Sequence, residues 1–361
     1  MNDPRVKELA ELLVGRSLDV QPGWQVMVQA TALARPLVEE LVRAIARRGA
    51  YPLVRLSFTD LERVPFDTVW AQEAPEELLE KPAPSDVRTR KEIDARVILF
   101  SAENVYSGSE LPTERRLALR RAARAAIDPA VDQDMPWVSC PFPTQGLAQE
   151  AGVSLRVYAD ILYEACLRDW DAEGERMKGY AERFGGAGEV HIVGPETDLM
   201  LSLAGRRADI DDGHLNMPGG EFFLCPLEDS AEGLITFGEY SATHVGRRFE
   251  GIRLRFEGGR VVEASASRGE DDLISVLDTD EGARRLGELG IGCNRGIPRN
   301  VQHMWWDEKI DGTIHLALGQ GFPEIGGLNE SAVHWDIVKD LSRGSIELNG
   351  ETVQRHGEWL I

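Results

Sequence analysis

Positive charge is scarce in this chain of 361 residues, which has 40 lysines and arginines against 61 aspartates and glutamates. The net charge of −21 argues against a nucleic-acid-binding protein, because such proteins usually present a basic surface. It also argues against attraction to anionic membrane surfaces. We therefore expect no nucleic-acid partner and no membrane partner, and the acidic surface is compatible with cationic ligands.

Cysteines and long apolar runs are scarce as well. The four cysteines (Cys140, Cys166, Cys225 and Cys293) form no CxxC pair, which predicts reduced, mostly buried thiols in a cytosolic protein. No run of 18 apolar residues occurs, so no membrane span is predicted. The N-terminal MNDPRVKELAELL predicts an amphipathic helix rather than a signal peptide, and we expect a cytoplasmic location.

Helices and strands alternate in the first half of the chain. Helices are predicted at 4–16, 35–49 and 111–127, and strands at 25–30, 51–58, 95–101 and 136–140. This rhythm predicts an open, mostly parallel sheet covered by helices. A helical stretch from about 155 to 184 then leads to the glycine-rich FGGAGE.

Short strands dominate the second half, and the chain is too long for one ordinary core. Strands are predicted at 189–194, 197–203, 221–226, 233–237, 252–256 and 260–266, with one helix at about 279–288. The prediction is an N-terminal α/β domain at residues 1–184, followed by a β-rich α+β C-terminal domain at residues 185–361.

Two of the later segments place histidines where a core strand is expected. Successive side chains of a strand point to opposite faces. In TIHLAL (313–318), His315 therefore lies opposite the isoleucine and leucines. In AVHWDIV (332–338), His334 and Asp336 share the face opposite the tryptophan. Each strand is predicted to bury one side and to present metal-ligand groups on the other.

Three glutamates occur in comparable settings. Glu288 in ELGIG shares its face with two glycines, which leave space beside the carboxylate. Glu221 follows two glycines that permit an unusual backbone path, and Glu308 in WWDEK is close in sequence to His315.

These groups exceed what one ion needs and suit two divalent ions bridged by a carboxylate and a water. The candidate metal ligands are Glu221, Glu288, Glu308, His315, His334 and Asp336. The alternative, hydrogen-bonded core histidines beside solvated glutamates, remains open at this point. The other histidines lack partners at ligand spacing, and neither GxSxG nor HExxH occurs.

Several longer motifs resemble one family in the same order: NMPGGE, EDSAEG, GGRVVEASA, LDTDEGARRLGELGIG, GTIHLALG and GGLNESAVHWD. The chain resembles the M29 family of metallo-aminopeptidases (aminopeptidase T-like) nearly end to end. The resemblance implies a cytosolic homodimer that releases N-terminal residues from peptide substrates. It also implies two divalent ions in the second domain, zinc or cobalt, with manganese an acceptable substitute at a carboxylate-rich site.

Position by position, the resemblance places the family's metal ligands on residues already selected above: Glu221, Glu288, His315, His334 and Asp336. Glu308 corresponds to a further glutamate near the metals, as a ligand or as the general base. We assign Glu288 as the bridging ligand and, with Glu308, as a catalytic residue.

One position departs from the family pattern. Phe322 stands in GQGFPEIGG, where the family usually has a tyrosine thought to stabilise the transition state. We expect Phe322, with Trp305 and Trp306, to line a substrate pocket that favours bulky or aromatic N-terminal residues.

A second function must be weighed on the same fold. Some relatives are ring-cleaving dioxygenases of dihydroxypyridines that use one Fe(II), held by a triad such as His315, His334 and Asp336. The presence of Glu221 and Glu288 favours the dinuclear peptidase.

Overall fold

The computed structural model describes residues 3–58, 68–108, 110–125, 135–244 and 247–360. The chain forms two compact units, Met1–Leu167 with Gly213–Pro218 and Arg168–Asp212 with Gly219–Ile361. The second unit therefore begins before residue 184, where the sequence suggested a boundary. The functional division at that residue stays a prediction.

The first unit contains a parallel four-stranded sheet. Its strands are β1 (Gln25–Thr31), β2 (Tyr51–Ser57), β3 (Ala95–Phe100) and β4 (Trp137–Pro141), in the order β2-β1-β3-β4. The helices are Pro4–Leu12 with a π-helical continuation at Leu13–Ser17, Arg35–Arg47, Thr68–Glu73, Glu76–Leu79, Pro84–Glu92, Thr113–Ala125, Gln145–Glu150 and Leu155–Cys166. The open parallel sheet predicted from the sequence is confirmed, and the last two residues of the helix predicted at 111–127 lie outside the described residues.

Two antiparallel sheets dominate the second unit. The larger contains β5 (Val190–Gly194), β6 (Thr197–Leu201), β9 (Glu232–Phe237), β12 (Ile252–Glu257), β13 (Arg260–Ser265), β17 (Ser345–Leu348), β18 (Glu351–Arg355) and β19 (Glu358–Trp359), in the order β13-β12-β9-β6-β5-β17-β18-β19. The smaller contains β7 (Asp209–Asp211), β8 (Glu221–Leu224), β14 (Leu286–Gly292), β15 (Thr313–Gly319) and β16 (His334–Asp340), in the order β16-β15-β14-β8-β7. A short hairpin pairs β10 (Ala242–His244) with β11 (Arg247–Phe249), and the helices are Trp170–Phe184, Glu270–Leu277 and Met304–Asp307.

One hydrophobic core lies between the inner faces of these two sheets. Ile192, Leu199 and Leu254 contribute from the larger sheet, and Leu289 and Leu316 from the smaller. Because alternate residues of a strand point to opposite faces, the other face of the smaller sheet is left for polar groups. The β-rich class predicted for the second half is confirmed.

The helix predicted at about 279–288 is wrong. The helix lies earlier, at Glu270–Leu277, where three acidic residues occupy its first turn and favour the positive end of the helix dipole. A single 3₁₀ turn follows at Gly282–Arg284, and the next residues form β14.

All four cysteines are free and buried. Among the described residues, no helix combines the length and the apolar composition that a bilayer crossing requires.

Candidate metal centre

Five of the six predicted ligands lie on the face of the smaller sheet that is turned away from the core, and Glu308 lies outside the strands. Strand register brings Gly292 opposite Glu221 and Gly290 opposite His315. Between β15 and β16, the register pairs Ala317 with Asp336 and Gly319 with His334. Small residues thus alternate across the sheet with the ligand-type side chains.

A β-bulge lies immediately before Glu288 in β14. Leu286 pairs with Leu318, but Glu288 pairs with Ala317 rather than Leu316, so one extra residue enters β14. Residues 288–292 alternate regularly, so Glu288 shares the ligand face with Gly290 and Gly292, and the extra residue allows Leu286 to face the core as well. Bulges next to active sites often redirect a side chain in this way.

Gly290 leaves the room that His315 occupies. A β-carbon added at Gly290 would lie 1.9 Å from Cε1 and 2.0 Å from Nε2 of His315. The space predicted beside Glu288 therefore holds an imidazole, 1% exposed, whose Nε2 lies 3.2 Å from Oε1 of Glu288.

Glu221 is placed by the backbone that precedes it. Gly220 has φ of +115°, and a β-carbon there would lie 2.6 Å from the β-carbon of Asn294. Asn294 in turn donates from Nδ2 to the carbonyl of Gly219 over 2.8 Å. This close approach requires glycine at residue 220.

Glu308 follows a one-turn helix, Met304–Asp307. The carboxylate of Asp307 accepts hydrogen bonds from the backbone N–H groups of Val301 and His303, at 2.7 and 2.9 Å. These bonds fix the segment that carries Glu308, which is itself buried.

The six candidate ligands form two groups whose donor atoms lie within 4.8 Å of one another: Glu221, Glu308 and His315 in one, and Glu288, His334 and Asp336 in the other. Glu288 faces both groups. Its Oε1 lies 3.2 Å from Nε2 of His315, and its Oε2 lies 3.4 Å from Nε2 of His334. A carboxylate between two imidazoles has the arrangement of a bridging ligand.

Both imidazoles present Nε2 to the carboxylates because Nδ1 faces a carbonyl. Nδ1 of His334 donates to the carbonyl of Gln320 over 2.8 Å, and Nδ1 of His315 donates to that of Glu308 over 3.3 Å. A carbonyl only accepts, so each neutral ring carries its proton on Nδ1 and keeps a lone pair on Nε2. Metal-binding histidines are usually oriented by such a bond.

The electrostatic field of the site favours cations. Burial alone would lower the pKa of both imidazoles, but the facing carboxylates raise the pKa of His315 to about 10 and that of His334 to about 12. Burial raises the pKa of Glu221 to about 7, against the opposing effect of Lys309. For Asp336, His334 outweighs the effect of burial and lowers the pKa to about 2.

Two carboxylate oxygens support the fit to a metal. Oε2 of Glu221 and Oδ1 of Asp336 are buried and accept no hydrogen bond within the described residues. A buried acceptor without a partner is costly, and a bound cation would satisfy both oxygens. The donor set of imidazole nitrogens and carboxylate oxygens suits divalent zinc, cobalt or manganese.

Sequence reasoning missed two charged members of this cluster, Lys309 and Asp211. The Lys309 side chain is fully buried, and Nζ lies 2.8 Å from Oε1 of Glu221 and 3.5 Å from Oδ2 of Asp211. The signal available in the sequence was a lysine immediately after Glu308 inside WWDEKI. Only the pairing of β7 with β8, which sets Asp211 opposite Glu221, could identify the aspartate.

Phe322 lies beside the site. Its ring centroid is 5.2 Å from that of His334 and 5.3 Å from that of Phe223. Its backbone N–H donates to Sγ of Cys225 over 3.3 Å. Phe223 shares the ligand face, because it is two residues after Glu221 on β8.

The two tryptophans predicted to line the pocket differ in exposure. Trp306 is fully buried, whereas Trp305 is partly exposed. Both rings contact His303, with centroids 6.1 and 6.4 Å away. Their role at a substrate pocket stays a prediction.

Comparison with known proteins identifies the family of this chain. The family model described as thermophilic metalloprotease (M29) matches residues 2–359. The chain belongs to the M29 family. Aminopeptidase T of Thermus thermophilus is 28% identical, with 99% of this chain and 98% of the relative covered. Aminopeptidase AmpS of Bacillus subtilis is 26% identical over the same shares.

Two solved structures have a similar fold over almost the whole chain. Wild-type AmpT from Thermus thermophilus superposes with a TM-score of 0.83 at 26% identity, covering 99% of both chains. The 2,5-dihydroxypyridine dioxygenase from Pseudomonas putida superposes with a TM-score of 0.64 at 15% identity, covering 100% of this chain and 98% of that one. The second likeness concerns the fold alone.

Proposed function

We propose that this M29 protein is a dinuclear metal-dependent aminopeptidase that releases N-terminal residues from peptides. Membership of a metalloprotease family and two aminopeptidases aligned over almost their whole length support the broader function. The observation that supports two ions is the position of Glu288, with one oxygen toward His315 and the other toward His334.

We assign one ion to Glu221, Glu308 and His315 and the other to His334 and Asp336, with Glu288 between them. Bound divalent ions would polarise the scissile carbonyl and lower the pKa of a bound water. Zinc, cobalt and manganese all suit this donor set.

The side chains of this chain have separate tasks in the proposed reaction. His315 and His334 hold Nε2 toward the site through their Nδ1 bonds to backbone carbonyls. Lys309 engages Oε1 of Glu308 at 2.5 Å, so we assign the second oxygen of Glu308 to the metal-binding side of the site, where the water that loses its proton would also bind. An enzyme that removes only N-terminal residues must recognise the free α-amine of its substrate.

Phe322 limits which substrates react well. A phenyl ring donates no hydrogen bond to a developing oxyanion, so the stabilisation expected from the family tyrosine is missing. The rings of Phe322 and Phe223 instead offer apolar surface beside His334. We propose a preference for bulky or aromatic N-terminal residues, with Trp305 and Trp306 as further parts of the pocket.

The remaining parts of the proposal concern organisation. We assign residues 185–361 as the catalytic domain, since every assigned ligand lies there, and residues 1–184 as a domain that contributes none of the assigned ligands. A homodimer is expected from the family resemblance. A cytoplasmic location agrees with four free, buried cysteines, because structural disulfides are rare in that compartment.

A substrate panel with metal analysis tests this function. The chelator-treated protein is reloaded with zinc, cobalt or manganese and assayed on Leu-, Ala- and Trp-anilides, each beside its N-acetylated form. We expect two ions per chain, turnover of the free-amine substrates only, and loss of turnover with chelator. One iron per chain, together with cleavage of a dihydroxypyridine ring and no peptidase activity, would overturn the proposal.

A further inference from the structure

A fully buried ammonium lies inside the candidate metal centre. Nζ of Lys309 is 2.8 Å from Oε1 of Glu221, 2.5 Å from Oε1 of Glu308 and 3.5 Å from Oδ2 of Asp211. The Lys309 side chain is 0% exposed, and the three carboxylates are almost fully buried.

The carboxylates around Nζ match the hydrogen-bonding needs of the buried ammonium. A buried charge is costly unless it is paired and hydrogen-bonded, and an ammonium has three N–H donors with no acceptor. Three carboxylates around Nζ match those three donors. Each glutamate therefore keeps Oε1 on the lysine and has one oxygen remaining.

The remaining oxygen of Glu221 faces the metal-ligand group. Oε2 of Glu221 lies 3.6 Å from Nε2 of His315 and accepts no hydrogen bond within the described residues. Lys309 thus determines which oxygen of Glu221 faces the site.

We propose that Lys309 is a positioning residue that makes Glu221 and Glu308 bind metal through one oxygen each. This inference rests on the proposed function, because it concerns the same ligands. The net charge of the site also agrees with this proposal. Two divalent ions and one ammonium would balance the five carboxylates of Asp211, Glu221, Glu288, Glu308 and Asp336 when both imidazoles are neutral.

Orientation and simple attraction predict opposite effects of removing the ammonium. The loss of a positive charge alone would make the site more negative and tighten metal binding. Loss of orientation would weaken it, and replacement of a group that orients a ligand typically costs about 10–100-fold in metal affinity. The two explanations therefore differ in the sign of the change.

The test replaces Lys309 by an uncharged side chain of similar length, Lys309→Met, and uses Lys339→Met as the matched control. Lys339 is also fully buried and donates to the carbonyl of Thr236 and to Glu239, at 2.8 and 3.2 Å, and within the described residues no hydrogen bond or ion pair joins it to an assigned ligand. Zinc is titrated into each chelator-treated protein against a chromophoric competitor, and thermal unfolding is followed by circular dichroism.

We expect Lys309→Met to weaken one of the two zinc-binding steps by about 10–100-fold, and the control to keep both steps within about threefold of the wild type. Unchanged or tighter zinc binding by Lys309→Met would overturn the proposal, as would an equal loss in the control. If Lys309→Met does not fold, Asp211→Asn decides, because it loosens Lys309 without removing the ammonium. A smaller loss in the same binding step supports the proposal, and unchanged binding overturns it.

Failure of this inference is separable from failure of the proposed function. Wild-type protein that binds two zinc ions but hydrolyses no aminoacyl substrate would contradict the aminopeptidase proposal and leave the zinc titration of the variants interpretable. Active wild-type enzyme with unchanged zinc binding in Lys309→Met would contradict only the role of Lys309.

Discussion

Adding one methyl group at Gly290 should disable the metal centre while the fold survives. The β-carbon of Gly290→Ala would lie 1.9 Å from Cε1 of His315, whereas ordinary contact begins at 3.4 Å. The imidazole must therefore move by about 1.5 Å, the difference between these distances. His315 has little room to move, because it is 1% exposed and lies between Glu288 and Glu221.

The size of the effect follows from that displacement. Overpacking a close-packed core usually costs about 1–3 kcal/mol of stability, which a domain of this size should survive. A misplacement of about 1 Å can cost about 10²-fold in rate. We therefore expect kcat/KM to fall by about 10²-fold or more, with a clear loss of bound metal.

The assay measures metal content by elemental analysis, kcat/KM on Leu-anilide and the midpoint of thermal unfolding. Gly179→Ala is the control, because a β-carbon at Gly179 in the helix Trp170–Phe184 would meet nothing within 4 Å. Alanine is favoured over glycine inside a helix by roughly 0.5–1 kcal/mol. The control should therefore keep its activity and lose no stability.

A double variant shows whether the clash involves the imidazole. In the background of His315→Ala the ring is absent, so Gly290→Ala should cause little further loss of stability. Contacting residues are expected to show such non-additivity. Wild-type metal content and activity in Gly290→Ala, or the same destabilisation with and without the His315 ring, would refute the reasoning.

Three further results are expected. His334→Ala and Asp336→Ala should each lose metal by elemental analysis but stay folded by circular dichroism, because the core-facing residues of β16 are unchanged. Phe322→Tyr should raise kcat on Leu- and Ala-anilides if the ring keeps its place, since one oxyanion donor is usually worth about 10²–10³ in kcat. Equal wild-type rates on Leu-, Ala- and Trp-anilides would contradict the proposed preference for bulky or aromatic N-terminal residues. Asp280 accepts hydrogen bonds from Ser331 and from the backbone N–H groups of residues 283 and 332, which outweigh burial and lower its pKa. The stability that the ionised Asp280 contributes is therefore fully present above the pKa of the unfolded chain and is lost as pH falls through the lower pKa of the folded protein. Asp280→Ala should lower the free energy of unfolding at pH 7 by about 1 kcal/mol. In urea titrations the difference from wild type should shrink below about pH 4.

The strand faces that carry the ligands could be predicted because alternation is a local property. In β15 and β16 an apolar residue at every second position identifies the buried side, and the structure places Leu316 and Trp335 in the core as expected. His315 and His334 then follow on the opposite side. No long-range contact is needed for this inference.

Other features depend on contacts that alternation does not encode. Lys309 and Asp211 come together only through the pairing of β7 with β8 and the turn after Asp307.

The hairpin between β17 and β18, in contrast, has a local signal in the sequence. Asn349 and Gly350 both have positive φ, and such an Asn-Gly pair favours a tight hairpin turn.

One irregularity of β14 could not be predicted from alternation. Leu286 and Leu289 are both in the core, three residues apart, and that spacing is typical of a helix face. A regular strand cannot bury both, because residues three apart point to opposite faces. The bulge at Gly287 resolves the conflict, and a β-carbon there would lie 2.3 Å from the carbonyl oxygen of Gln320. Regular alternation from Leu289 onward then leaves Glu288 on the face of both histidines, while the bulge lets Leu286 reach the core.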